Sequence, residues 1–88
     1  MAFYCYLLEC TDGTYYCGWT KDVVRRVEMH NRGQGARYTR ARRPVRLAYF
    51  EELESQSEAM RRERSLKKKS HEQKSDLIRQ FNEKTHES

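Results

Sequence analysis

The strongest constraint on how this chain can fold lies in its first twenty residues. Phe3 to Cys10 and Thr14 to Thr20 are rich in aromatic and thiol side chains, and Thr11-Asp12-Gly13 stands between them, with Asp-Gly a strong turn signal. The length of that loop sets the register. A two-residue Asp-Gly loop would pair Tyr6 with Trp19 and put Tyr6 and Tyr16 on opposite faces of the hairpin. A three-residue loop, with Gly13 left-handed in a bulge, pairs Cys10 with Thr14, Leu8 with Tyr16, and Tyr6 with Gly18. This second register is the better one, because it collects Phe3, Cys5, Leu7, Cys17 and Trp19 on a single core-like face. On the other face Tyr6 and Tyr16 become diagonal neighbours. Gly18 opposite Tyr6 is then expected to leave an opening beside the phenol that can admit a phosphate.

Downstream, Asp22 to about Arg32 reads as a helix: Val23 and Val27 recur at four, Thr20 or Asp22 can cap it, and Gly33 stops it. Arg26 and His30 are also four apart, so they lie one turn apart on a common flank. Gly33 to Pro44 is expected to be a loop, followed by a third strand over Val45 to Glu52 in which Val45, Leu47 and Tyr49 alternate with Arg46, Ala48 and Phe50. Ser55-Gln56-Ser57-Glu58 is a capping box that opens a helix reaching about Lys67. A last helix begins near Ser70, with Leu77, Ile78 and Phe81 in its packing stripe. The elements give an α+β domain over residues 1–82 in the order β-β-α-β-α-α, with 83–88 expected as a flexible tail.

The 88 residues carry a formal net charge of +5, unevenly placed. Residues 21–46 hold nine bases against two acids and 61–74 seven against two, while 47–60 hold four acids and no base. Two basic blocks around an acidic strand point to a basic face and a polyanionic partner. No apolar run approaches a membrane span, and no basic lead precedes a long apolar run, so a cytoplasmic protein without membrane attachment is expected. Cys5, Cys10 and Cys17 are odd in number, with no C-x-x-C pair, and read as reduced thiols serving as small apolar residues.

Several residue types here suit work on a phosphodiester. Arg26 can grip a phosphate through two parallel hydrogen bonds and stays charged throughout. His30 can donate a hydrogen bond or move a proton near neutral pH. Arg37, Arg40, Arg42 and Arg43, interleaved with small residues and Tyr38, suit a nucleic-acid backbone, with Tyr38 placed to stack on a base, and Lys67 belongs to the second basic run. On the helix that starts at the capping box, Ala59, Glu63 and Leu66 share one face, which puts Glu63 on the packing side. A half-buried carboxylate needs a partner, either an arginine or a divalent metal ion.

The ordered set Tyr4-Cys5-Tyr6, Tyr16-Cys17-Gly18, Arg26, His30-Asn31, Tyr38-Thr39, Arg43-Pro44 and Glu58-Ala59 leading to Glu63 resembles the GIY-YIG endonuclease superfamily, and most of all its small stand-alone, YhbQ-like bacterial subgroup. The likeness spans roughly residues 3 to 80. It implies a three-stranded antiparallel sheet flanked by helices. It also implies a catalytic set of Tyr6, Tyr16, Arg26, His30 and Glu63, with Glu63 as the carboxylate for one Mg²⁺ or Mn²⁺ ion. The implied reaction is hydrolysis of nucleic acid, DNA in the first instance and in a repair or processing role, with Tyr6 helping to deprotonate the attacking water. Tyrosine is a poor base at its reference pKa of about 10, so the role requires positive charge nearby, and Arg26 and the metal are the candidates. Tyr4 stands where the family motif has glycine, and Trp19 where some relatives carry lysine. Two other readings accompany this one: a nucleic-acid-binding module with weak or no catalysis, and a structural partner that engages a repair protein through the acidic 51–58 segment.

Overall fold

The Thr11-Asp12-Gly13 loop closes in its three-residue form. Gly13 is left-handed at φ 84, Cys10 N–H donates to Thr14 O at 2.9 Å, and the Asp12 carboxylate accepts from both the Thr14 amide and the Thr14 hydroxyl. A computed structural model describes residues 2–86 of the chain. In it β1 (Phe3–Glu9) and β2 (Tyr15–Thr20) pair antiparallel, with Tyr6 opposite Gly18 and Leu8 opposite Tyr16. The face pattern read from the sequence is the observed one. Cys5, Leu7 and Cys17, backed by Phe3, Tyr15 and Trp19, face one core, while Tyr6, Leu8 and Tyr16 face the other.

The third strand, β3 (Arg46–Leu53), joins the far side of β1 to give the antiparallel order β2-β1-β3. Its expected alternation fails at Ala48. Leu7 pairs with Tyr49 but Leu8 pairs with Leu47, so Ala48 is an extra residue, a β-bulge. The bulge lets Val45 and Leu47 join the core under Tyr6 while Ala48 and Tyr49 join the opposite one.

Helix α1 (Val23–Asn31) covers the Tyr6 face with Val23 and Val27. Asp22 caps it by accepting from Arg25 N–H at 3.1 Å. Its end is a Schellman turn: Gly33 at φ 80 donates to His30 O, and Gln34 N–H reaches Met29 O at 2.9 Å. The segment expected as a loop contains a single helical turn, α2 (Arg37–Arg40), with Thr39 as its buried residue. Helix α3 (Gln56–Lys67) packs on the opposite face through Ala59 and Leu66. Ser55 caps it by accepting from Glu58 N–H at 3.2 Å, while the Glu58 carboxylate reaches back to the amide of Glu54, one residue before the position a capping box implies. Helix α4 (His71–His86) adds Leu77 and Ile78 to that layer. It continues into the segment expected as a tail, of which 87–88 lie outside the described residues.

The three thiols are free and buried. Burial pushes the Cys5 thiol up to about 11 and the Cys17 thiol up to about 12, so both stay protonated and act as small packing groups. They also touch α3: Cys5 S–H donates to Ala59 O at 2.9 Å, and Cys17 S–H points at Glu63 O, 3.7 Å away. The middle residues of the two tyrosine triplets therefore seat the helix that carries Glu63. Among the described residues no helix is long and apolar enough to cross a membrane.

Candidate active site

Strand β1 projects Tyr6 into the core under α1, where it is 2% exposed. The opening expected beside Gly18 is filled by Tyr6 itself. A β-carbon built on Gly18 would sit 2.5 Å from the Tyr6 hydroxyl and 2.7 Å from the ring carbon bearing it, so the glycine exists to let the phenol lie across β2. A phosphate must approach from beyond that hydroxyl.

Helix α1 delivers His30 from its last turn, and the two aromatic groups meet: Tyr6 Oη lies 3.3 Å from His30 Nε2, with the rings edge to face at 6.3 Å. Tyr16 completes the cluster, its ring centre 5.2 Å from His30 and 6.1 Å from Tyr38. His30 is itself 1% exposed. The other ring nitrogen, Nδ1, lies 2.7 Å from Thr39 Oγ1 on α2, and Gly35 passes so close behind the ring that a β-carbon there would be 2.3 Å from Nδ1. Thr39 and Gly35 were not among the site residues expected from the sequence. Gly35, two residues past a helix-stopping glycine, gave a faint signal; Thr39 stood in the Tyr38-Thr39 motif without a role, because that role depends on a ring nine residues away.

Burial, and secondarily the Arg26 guanidinium, hold the His30 pKa below its ordinary value, so the imidazole is neutral at neutral pH. Burial also governs Tyr6, raising its pKa, with Tyr16 and more distantly Cys17 and Glu63 adding to the rise and Arg26 opposing it. Of the two sources of positive charge expected to lower the Tyr6 pKa, Arg26 and a metal ion, Arg26 alone does not suffice. The guanidinium pulls in the right direction, but desolvation of the phenolate outweighs it. The phenol oxygen faces His30 Nε2, and which of the two donates depends on the imidazole tautomer.

Arg26 is half-buried and lines a cleft of about 600 Å³ with Trp19, Lys21, Arg25 and Met29, at the junction of β2 and α1. Its charge acts on both Tyr6 and His30. Glu63 comes from α3, which packs against the opposite face of the sheet, and its charge reaches Tyr6 and Cys17. Among the described residues no side-chain hydrogen bond joins it to Tyr6 or Tyr16. Its ion-pair partner is Lys67 at 3.6 Å, with the lysine side chain 55% exposed, an arrangement that solvent and salt can readily break.

Among the described residues no three His, Cys, Asp or Glu side chains group to hold a metal. A single carboxylate still fits Mg²⁺, which keeps most of its water and takes one or two protein oxygens plus substrate phosphate. Glu63, half-buried and paired to a displaceable lysine, is such a carboxylate.

The basic segment divides in two. Arg43 donates to Arg40 O at 2.8 Å and to Asn31 O at 3.3 Å. Arg42 donates to Asp12 at 2.9 Å and to Tyr38 O at 2.7 Å, and its guanidinium covers the Tyr38 ring at 3.9 Å. These two arginines, expected to grip nucleic acid, instead tie the α2 segment to α1 and to the hairpin loop. Tyr38, expected to stack on a base, has Arg42 over its ring. Arg37 and Arg40 are exposed, and among the described residues their guanidiniums have no ion pair.

The family model of the GIY-YIG catalytic domain matches residues 2–76. The chain belongs to the GIY-YIG family. It is 56% identical over 73 residues to a UPF0213 protein of Halobacterium salinarum, covering 83% of this chain and 95% of that one. A UPF0213 protein of Streptococcus agalactiae is 53% identical over 77 residues, 88% of each chain. The solution NMR structure of a UPF0213 protein from Bacillus halodurans superposes with a TM-score of 0.56 at 46% identity, covering 89% of this chain and 83% of that one. A second NMR structure, of a protein from E. faecalis, gives 0.62 at 40% identity, covering 93% and 88%. The GIY-YIG family is a nuclease family, and its substrates are nucleic acids. The Tyr6, Tyr16, Arg26 and His30 cluster falls inside the matched residues, as does Glu63.

Proposed function

We propose that the protein is a divalent-metal-dependent endonuclease that hydrolyses phosphodiester bonds, with DNA as the expected polymer. The observation that carries this reading is the buried cluster of motif residues: Tyr6 Oη lies 3.3 Å from His30 Nε2, and the Tyr16 ring packs on the same imidazole. A tyrosine that only packs has no need of a buried histidine held against its hydroxyl.

In this mechanism Tyr6 Oη takes a proton from the attacking water while its own proton is accepted by His30 Nε2. Tyr16 packs against His30 and fixes its ring. Arg26 stabilises the charge that grows on the phosphoryl oxygens. Glu63 would hold Mg²⁺ or Mn²⁺, which when bound polarises the phosphodiester and eases departure of the 3′ oxygen. The products carry 5′-phosphate and 3′-hydroxyl ends. Flanking phosphates would meet Lys21 and Arg25 along the cleft, Arg37 and Arg40 on the other side, and Lys67 once it releases Glu63.

The test is incubation of the purified protein with single-stranded, nicked and branched DNA, and with RNA, plus Mg²⁺, Mn²⁺ or chelator, alongside Glu63→Ala and Tyr6→Phe. Metal-dependent cleavage by the wild type, lost in both variants while binding persists, is expected. Binding without cleavage of any substrate would instead favour the non-catalytic module, for which the raised Tyr6 pKa is the supporting observation.

A further inference from the structure

Behind Tyr6 and His30 lies a buried chain of polar atoms whose direction can be worked out by asking where each hydrogen goes. Thr39 Oγ1 is 2.9 Å from Ala36 O and 2.7 Å from His30 Nδ1, and Thr39 is fully buried. Ala36 O can only accept, so that contact uses the one hydrogen of the Thr39 hydroxyl. The 2.7 Å contact must then be supplied by a hydrogen on Nδ1. That leaves Nε2 with a free lone pair, and Tyr6 O–H donates into it across 3.3 Å. Every side-chain hydrogen of the chain has an acceptor in this direction, and the chain ends on a carbonyl.

The reverse direction is poorer. If Thr39 donated to Nδ1, its oxygen and Ala36 O, which also accepts the Thr39 amide at 3.2 Å, would face each other 2.9 Å apart with no hydrogen between them. His30 Nε2–H would donate to Tyr6, and the phenol hydrogen, with no second side-chain acceptor among the described residues, would have to turn to solvent. In favour of the reverse direction stands the Ala36 N–H, which points at Nδ1 from 3.4 Å, a long and weak contact.

The geometry points to Thr39 as a positioning residue that fixes the tautomer of His30, with the proton on Nδ1, so that Nε2 is the acceptor for the Tyr6 phenol. Thr39 touches no substrate and acts only through the imidazole. During turnover one proton moves from water to Tyr6 Oη as another moves from Tyr6 to His30 Nε2, giving an imidazolium whose Nδ1–H remains bonded to Thr39. This accounts for how a phenol whose burial opposes ionisation can take part in base catalysis: the phenolate never accumulates. The kinetic part of the inference rests on the nuclease reading, whereas the tautomer does not.

The test uses the full chain labelled with ¹⁵N-histidine and two-bond ¹H–¹⁵N correlation spectra at pH 8, with His30 assigned among the three histidines by its loss in His30→Gln. The wild type is expected to show a protonated Nδ1 and an unprotonated Nε2. Thr39→Val, matched in shape but without the hydroxyl, is expected to move the proton to Nε2. It should also lower kcat by about 10–100-fold with KM unchanged, and Thr39→Ser should restore both. A wild-type spectrum with the proton on Nε2, or an Nδ1 proton that persists in Thr39→Val, would overturn the assignment. If Thr39→Val does not fold, the wild-type and Thr39→Ser spectra still decide it. If the wild type cleaves no substrate, the nuclease reading falls and the spectra still judge the tautomer.

Discussion

The Tyr6 ring lies across the backbone of Gly18, so closely that a β-carbon on that glycine would come within 2.5 Å of the phenol oxygen. The register of one hairpin thereby places a hydroxyl at the edge strand of the sheet. Gly18→Ala is expected to push Tyr6 away from His30, destabilising the fold by about 1–3 kcal/mol as overpacking does and removing cleavage. Urea denaturation and a cleavage assay check this together. An alanine variant with wild-type stability and wild-type rate would show that the close approach is not needed.

Arg43 and Arg40 stand three residues apart and should behave as opposites. Arg43 donates to the carbonyls that end α1 and α2, so Arg43→Ala should cost about 1 kcal/mol of stability and leave the salt dependence of nucleic-acid binding nearly unchanged. Arg40→Ala should leave stability alone and reduce the slope of log K against log salt by about 1. Binding measured from low to moderate salt, with parallel denaturation curves, separates the two. Equal loss of salt slope in both variants would place Arg43 on the phosphate backbone after all.

Burial and Arg26 lower the pKa of His30 below its ordinary 6.5. The unfolded chain therefore takes up a proton at this position before the folded one does. The sign follows: the contribution of neutral His30 to stability is fully present above about pH 6.5 and is lost as pH falls through the window below it. Denaturation midpoints should drop from pH 7.5 to pH 5.5 more steeply for the wild type than for His30→Gln. Parallel profiles for the two proteins would contradict a depressed histidine.

Glu63→Gln keeps the shape of the side chain and removes the charge. Its ion pair with Lys67 is open to solvent on the lysine side, so stability should change by less than about 1 kcal/mol. Binding of Mn²⁺ measured by calorimetry should be lost with metal-dependent cleavage. Retained Mn²⁺ affinity in the glutamine variant would move the metal elsewhere.

Much of the scaffold was legible because it is fixed by short-range terms. Asp12-Gly13 set the loop, the loop set the register, and the register chose which tyrosines share a face with α1. The caps at Asp22 and Ser55 and the stop at Gly33 are likewise written in neighbouring residues. Ala48 was not legible. A bulge inserts one residue where two cores must both be filled, and that depends on helices packed from either side. The fates of Arg42 and Arg43 were hidden for a related reason: a guanidinium in a basic run looks available for phosphate until the carbonyls and the carboxylate around it are placed.

The sequence by itself determined the strands and helices and where the candidate site residues fall on them, since turn formers, caps and side-chain periodicity act over a few neighbouring positions. Only the tertiary structure decided how that chemistry is poised. Burial raised the Tyr6 pKa against the pull of Arg26, Thr39 came to hold the back of His30, and Glu63 was set on the opposite face of the sheet with only its charge reaching the phenol. Desolvation and through-space charge depend on what surrounds an atom, and residues far apart in the chain supply those surroundings.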